Sequence, residues 1–161
     1  MNQPRLALIR RAIILLCRQV KGKHQTIQGV EGSTFHPPTI THRQLLHLLF
    51  LLDWQYGVDE DGDTLLGVAW VFGQSGLECP VVEREISVWP ANPCEALPPE
   101  SEADNQPERL LSEVQETVRG MNHDITEAQL YAHCIRVVGM TKHRNPDFPL
   151  TNTRAPQAHK I

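Results

Sequence analysis

The stretch THRQLLHLLFLLDWQY, residues Thr41–Tyr56, decides the fold of this chain. Thr41 and Gln44 match a capping box, in which each side chain accepts a hydrogen bond from the backbone N–H of the other residue. Apolar residues then recur at helical spacing over most of the circumference: Leu45, Leu46, Leu48, Leu49, Phe50, Leu52 and Trp54. A helix that is apolar on nearly every side packs at the centre of a domain. The pattern therefore predicts a core helix over about residues 42–56 that ends at Gly57.

The residues after this helix predict turns around a short apolar segment. Asp59–Asp63 is a polar turn, and residues 65–72 alternate in a way that fits either an extended segment or a short helix. The sequence GQSG at residues 73–76 breaks that segment, and Pro80 suits the first turn of a further helix.

The order of aromatic residues and glycines in this region resembles the Panacea domain. The matching features are Leu48–Tyr56 (LLFLLDWQY), a turn rich in Gly and Asp, Leu66, Trp70 and a second turn that contains Gly. In Gly76–Val81 (GLECPV) the chain keeps the Gly, Pro and Val of the family pattern but separates the Gly from the Pro. The resemblance covers about residues 39–86.

The resemblance implies a function as well as a helical fold. Panacea domains are the antitoxin modules of a large group of bacterial and phage toxin–antitoxin pairs. A protein of this kind would be a noncatalytic antitoxin that binds a cognate toxin protein directly and neutralises it, with a role in phage defence.

Length and cysteine usage are those of one domain in a reducing compartment. A chain of 161 residues can bury a core of its own, and its 12 prolines predict that some of it is loop or tail. The four cysteines are scattered without a CxxC pair, which predicts free, mostly buried thiols and a cytoplasmic location. No apolar run reaches the roughly 18–20 residues of a membrane span, and no secretory cleavage signal follows the early arginines, so no membrane association is expected.

Charge is distributed unevenly along the chain. Residues 1–52 carry seven Lys and Arg against the single acidic Glu31, whereas residues 53–130 carry three arginines against seventeen acidic residues. Two explanations fit this pattern. Opposite surfaces neutralise each other within the fold or between subunits, or an acidic face is presented to a basic partner and steers its association.

Periodicity outside the central stretch predicts three more helices. They cover residues 4–20, residues 108–119, and a stretch that starts at a capping box of Asp124 and Glu127 and stops at Gly139. Residues 21–40 are predicted to be a loop, and residues 89–107 an extended acidic, proline-rich linker. Residues 140–161 lack periodicity and are predicted to be a tail that is ordered only if it docks.

The expected fold is therefore mainly α. It is a compact multi-helix domain of residues 1–139 around the central buried helix, with a short β-hairpin near residues 65–72 as an option.

Residues that usually carry catalysis or bind metals form no known pattern here. None of the eight histidines falls at a metal-ligand spacing. Asp59-x-Asp61-x-Asp63 begins like a calcium loop, but Gly62 is at the fourth position rather than the sixth, and Trp70 stands where the twelfth-position Glu is required. Ser75 lacks the second glycine of a nucleophile elbow, because Leu77 occupies that position. No catalytic residue, metal or cofactor is predicted.

The aromatic residues around the Gly-rich turn have two interpretations. They fill the core of a chain that is poor in aromatics, or they anchor a partner, since Trp and Tyr are frequent interface residues. Under the second interpretation the turn and its acidic surroundings form a partner-binding face, whose candidate residues are Tyr56, Trp70, Phe72, Gln74, Ser75 and Gly76.

Three classes of function follow from the sequence. The first is the antitoxin-like protein that binds a toxin. The second is a nucleic-acid-binding regulator, in which the basic N-terminal helix with Lys21 and Lys23 contacts phosphates. The third is an adaptor or scaffold subunit of a phage-defence or proteolytic assembly. The sequence leaves the oligomeric state open.

Overall fold

Five α-helices and a three-stranded sheet form the described part of this computed structural model, which comprises residues 4–28, 40–60, 64–98, 108–119 and 125–152. The predicted mainly α fold with a short strand region is confirmed. The elements in chain order are α1 Leu6–Gln28, α2 His42–Asp59, β1 Trp70–Gly73, β2 Gly76–Glu78, α3 Pro80–Ser87, α4 Glu108–Arg119, α5 Glu127–Thr141 and β3 Leu150–Asn152.

Helix α2 is the centre of the molecule, as its sequence predicts. The Thr41 hydroxyl accepts from the Gln44 N–H at 3.0 Å, and the Gln44 side chain accepts from the Thr41 N–H at 2.9 Å. Helices α1, α3, α4 and α5 all pack against α2. Its buried residues therefore face every direction: Leu45, Leu46, His47, Leu48, Leu49, Phe50, Leu52, Asp53, Trp54, Gly57 and Val58.

The predicted end of this helix at Gly57 is wrong, because α2 continues to Asp59. Gly57 instead allows another segment of the chain to pack close to the backbone of α2. A Cβ atom at this position would lie 2.8 Å from Asn145 Nδ2 and 2.8 Å from Phe148 Cδ2. The residue is glycine because the C-terminal segment packs directly against the backbone of α2.

The β-hairpin lies further along the chain than residues 65–72. Strand β1 pairs antiparallel with β2, with Val71 opposite Glu78 and Gly73 opposite Gly76. Gly76 closes the turn with a φ of 120°, a backbone conformation that residues other than glycine rarely adopt. Residues 65–69 are not strand, because the N–H groups of Leu65 and Leu66 bond a side chain of α2 instead of a neighbouring strand.

Helix α1 is longer than predicted, because residues 21–28 of the predicted loop are helical. The rest of that predicted loop, apart from Ile40, lies outside the described residues. The middle of the apolar stripe of α1 is buried, as its spacing indicates, with Ile9, Ala12, Ile13 and Leu16 inaccessible to solvent, whereas Leu6 at its start is exposed.

The predicted extended linker is folded in its first part. Residues Pro93–Ala96 form a short 3-10 helix in which Pro93 and Cys94 are buried. Asn92 holds this turn in place, because its Oδ1 accepts from the Cys94 N–H and from the Ile40 N–H, each at 3.3 Å. Residues 99–107 of the predicted linker lie outside the described part of the chain.

Helix α4 agrees with its prediction over Glu108–Arg119. The capping box of α5 is Thr126 with Gln129 rather than Asp124 with Glu127. The predicted stop at Gly139 is also wrong, since the helix continues to Thr141, and an exposed glycine there neither meets a neighbour nor breaks the helix.

The C-terminal residues dock on the core as far as Asn152. Phe148 is buried, and β3 pairs in parallel with β1, with Trp70 opposite Leu150 and Phe72 opposite Asn152. The domain body therefore extends beyond the predicted boundary at residue 139. None of the helices in the described ranges combines the length and the apolar character needed to cross a membrane.

Candidate functional site

Trp70 and Phe72, two of the predicted partner-binding residues, lie inside the molecule. Their side chains are 0% and 2% exposed. Both rings pack edge-on against Phe50, with centroid distances of 5.3 Å and 5.4 Å. Packing in this cluster explains why these aromatics occur here, and in this structure neither of them is available at the surface.

The other predicted residues do not form one surface. Gln74 and Ser75 are exposed at the hairpin turn, and Gly76 beside them is buried. That turn lies near the start of α2, because Arg43 Nη2 donates to the Leu77 carbonyl at 3.0 Å. Tyr56 is half-buried and lies about 20 Å further along α2, at a rise of about 1.5 Å per residue.

Asp53 is a buried carboxylate that joins α2 to the start of the sheet. Its Oδ1 accepts from the Leu65 N–H at 2.7 Å and from the Leu66 N–H at 3.1 Å. Its Oδ2 accepts from Trp70 Nε1 at 2.8 Å, and the Thr64 hydroxyl lies 2.9 Å from both oxygens. The side chain is completely inaccessible to solvent.

These contacts give Asp53 a structural role. Burial raises the pKa of its carboxyl group, and the hydrogen bonds from Trp70, Leu66, Thr64 and Leu65 oppose that rise. The donors occupy both oxygens and leave little acceptor capacity for a substrate. Asp53 therefore holds residues 64–70 against α2.

His47 is the second buried titratable group of α2. Its Nδ1 lies 2.5 Å from the Arg43 carbonyl, which identifies Nδ1 as the protonated nitrogen. Nε2 has no hydrogen-bond partner among the described residues, and the ring packs edge-on against Tyr131 at 5.5 Å. Burial lowers the pKa of His47, so the ring is a neutral part of the α2–α5 interface.

An open groove lies between α2, α4 and α5 in the described part of the chain. Its volume is about 1280 Å³. Apolar side chains from α2, from α5 and from the segment that leads into α5 form its floor: Leu48, Leu51, Ile125, Leu130 and Val137. Its polar lining comes from all three helices and includes Asp59, Glu113, Glu116, His133 and Arg136. We call this surface the α2–α4–α5 groove.

The ionisable groups of the groove are mostly acidic. Glu113 is 6% exposed, and Glu116 pairs with Arg119 at 2.7 Å. Arg136 Nη2 donates to His133 Nδ1 at 2.7 Å, and burial followed by the charge of Arg136 lowers the pKa of His133. The lining itself therefore contains three carboxylates and one permanent cation, Arg136, while Arg119 outside the lining pairs with Glu116.

The sequence carries a signal for this surface that matches no known motif. Glu113 and Glu116 are three residues apart and so share a face of α4, and α4 lies within the acidic region of the chain. Only the packing of α4 and α5 on α2 shows that this acidic face borders an apolar floor.

Metal-binding side chains do not cluster in the described residues, where no group of three His, Cys, Asp or Glu side chains is placed to hold an ion. Asp61 and Asp63 of the calcium-like turn lie outside those residues.

No protein-family model, no curated protein and no solved structure matches the chain. Its functional assignment therefore depends on its own residues and on the geometry of the α2–α4–α5 groove.

Proposed function

We propose that this protein is a noncatalytic binding protein of the antitoxin kind, which covers a basic, partly apolar segment of a cognate toxin protein. The α2–α4–α5 groove is the observation that carries this proposal. It combines apolar side chains with a polar lining in which Asp59, Glu113 and Glu116 outnumber Arg136.

The composition of the groove suits a protein segment. Protein interfaces have an apolar centre that excludes water and a polar rim that confers specificity. Here Leu51 and Val137 are half-buried, so apolar surface remains for a partner to cover. Charge complementarity favours, as the occupant, an amphipathic segment whose polar side carries Lys or Arg.

The resemblance to the Panacea domain supports the same class of function. The partner-binding role that the sequence suggests for the Gly-rich turn stays a prediction for the exposed Gln74 and Ser75. Trp70 and Phe72 would contribute to binding only by holding the hairpin in shape, because both are buried.

The nucleic-acid alternative receives less support, because arginines near the N-terminus bond within the chain. Arg5 Nη1 donates to the Thr64 and Leu65 carbonyls, Arg10 pairs with Glu85, and Arg18 Nη2 donates to the Pro98 carbonyl. Phosphate binding would have to compete with these contacts.

Co-expression with the product of a neighbouring toxic reading frame tests the proposal. The wild-type chain should restore growth and bind that product directly. Glu116→Lys should weaken the Kd at least tenfold and abolish rescue, since it places a cation in the groove against a basic segment. Binding should also weaken as salt rises.

Glu95→Lys is the matched control, because Glu95 is an exposed acid on the 3-10 helix outside the groove. It should leave the Kd and growth rescue unchanged, and both variants should keep the wild-type melting temperature. Equal effects of the two substitutions on the Kd and on growth rescue would contradict the proposal that the α2–α4–α5 groove is the binding site. Failure to bind or neutralise the toxic product would contradict the antitoxin function, and copurification with a larger assembly would favour the adaptor alternative.

A further inference from the structure

Cys17 and Cys94 are two buried cysteines that contact each other. Cys17 lies on α1 and is inaccessible to solvent, and Cys94 lies in the 3-10 helix Pro93–Ala96 and is 3% exposed. The Cys94 thiol donates to the Cys17 backbone carbonyl, with the sulfur and the oxygen 3.8 Å apart. Both are free cysteines.

The other two cysteines have different neighbours. Cys134 Sγ lies 3.8 Å from the His47 carbonyl in the α2–α5 interface. Cys79 is the residue that precedes α3. Among the described hydrogen bonds of the four cysteines, only that of Cys94 therefore joins two of them, and Cys17 and Cys94 are 77 residues apart in the chain.

The two thiols of the pair differ in their surroundings. The hydrogen bond from Cys17 lowers the pKa of Cys94, and the positive charge of Lys21 lowers it further, against the effect of burial. The same hydrogen bond and burial raise the pKa of Cys17. Cys94 is thus the thiol that ionises more readily, and the thiolate is the reactive form of cysteine.

We propose that Cys17 and Cys94 are a redox-active pair that closes into an intramolecular disulfide when a hydroperoxide oxidises the protein. The Cys94 thiolate attacks one peroxide oxygen, the O–O bond breaks, and the departing oxygen takes a proton to give water or an alcohol. The Cys17 sulfur then attacks the Cys94 sulfenic acid. The S–O bond breaks, and hydroxide leaves with the Cys17 proton as water.

Local opening of the 3-10 helix gives the oxidant access to Cys94. The Asn92 side chain and the bond from Arg18 to the Pro98 carbonyl hold this helix, and both can release without unfolding α1. Once formed, the disulfide joins α1 covalently to the 3-10 helix across a loop that contains α2, the hairpin and α3. A crosslink over so long a loop restricts the unfolded chain and should raise the melting temperature.

Peroxide titration of the reduced full-length chain tests the proposal. Thiol counting in denaturant should fall from four per chain to two, and peptide mapping should show one crosslink between the Cys17 and Cys94 peptides. The oxidised chain should melt several degrees higher than the reduced chain, and reduction with a dithiol should reverse both changes.

Single substitutions separate the roles of the two sulfurs. Cys17→Ser should leave Cys94 as a sulfenic acid that a dimedone probe labels, whereas Cys94→Ser should abolish rapid oxidation by peroxide. Cys134→Ser is the control and should still form the crosslink. A crosslink to Cys79 or Cys134, a disulfide between two chains, or oxidation that leaves Cys17 and Cys94 both free would overturn the proposal.

Discussion

Asp53 shows how a single buried charge can organise the centre of the fold. Its carboxylate receives hydrogen bonds from the backbone of residues 65 and 66 and from two side chains, and all of these donors are uncharged. Hydrogen bonds to a charged acceptor contribute about 1.5–3 kcal/mol each, so several together offset the cost of burying the charge.

Asp53→Asn should therefore lower the free energy of unfolding by about 3 kcal/mol, although the two side chains have nearly the same shape. Each oxygen of Asp53 faces an N–H donor, Leu65 on one side and Trp70 on the other. Either orientation of the amide would place its NH₂ group against one of these donors. Urea denaturation of the purified variant measures the loss.

Asp59→Asn is the control, because Asp59 is an exposed acid on the same helix. It should change the free energy of unfolding by no more than about 0.5 kcal/mol. Equal stability of Asp53→Asn and the wild-type chain would show that the hydrogen bonds of Asp53 contribute nothing net.

At the scale of secondary-structure elements, two glycines occur inside helices for different reasons. Gly57 in α2 is buried under Asn145 and Phe148, whereas a Cβ at Gly139 in α5 would meet no atom within 4 Å. The first glycine permits close packing of the C-terminal segment, and the second has no neighbour that requires it.

The same substitution should consequently have opposite effects at the two positions. Gly139→Ala should stabilise the protein by up to about 1 kcal/mol, because Ala favours the helix and nothing obstructs its methyl group. Gly57→Ala should destabilise it by about 1–3 kcal/mol, since overpacking against Asn145 and Phe148 exceeds that gain. Thermal unfolding of both variants measures the difference. Higher stability of both variants would show that the C-terminal segment can shift to make room for a methyl group at residue 57.

Local sequence patterns predicted the elements well where the cause of the structure is local. The capping box at Thr41 and the spacing of the leucines indicate α2 without knowledge of the fold. The end of α2 was misplaced because a glycine that stops a helix and a glycine that admits a neighbour look the same in sequence. The groove could not be predicted, because its lining comes from three helices whose arrangement is tertiary.

At the scale of the whole molecule, the C-terminal segment completes both the core and the sheet. Phe148 packs edge-on against Trp54 at 5.0 Å and against Phe50 at 6.4 Å. The Asn145 side chain donates to the Trp54 carbonyl at 3.1 Å, and β3 covers the edge of β1. Three residues of strand carry no periodic signal of their own, which is why this part of the chain was predicted as a tail.

Truncation tests whether this segment is part of the cooperative unit. A chain that ends at Arg144 loses Asn145, Phe148 and β3, and should lose about 4 kcal/mol or more of unfolding free energy through the cavity beside Trp54 and the unpaired edge of β1. A chain that ends at Asn152 keeps every contact described here and should unfold like the full-length protein. Tryptophan fluorescence during denaturation distinguishes them, because exposure of Trp54 shifts the emission of the shorter chain to the red. If both chains unfold at the same denaturant concentration, the core is complete without residues 145–152 and the body of the domain ends near α5.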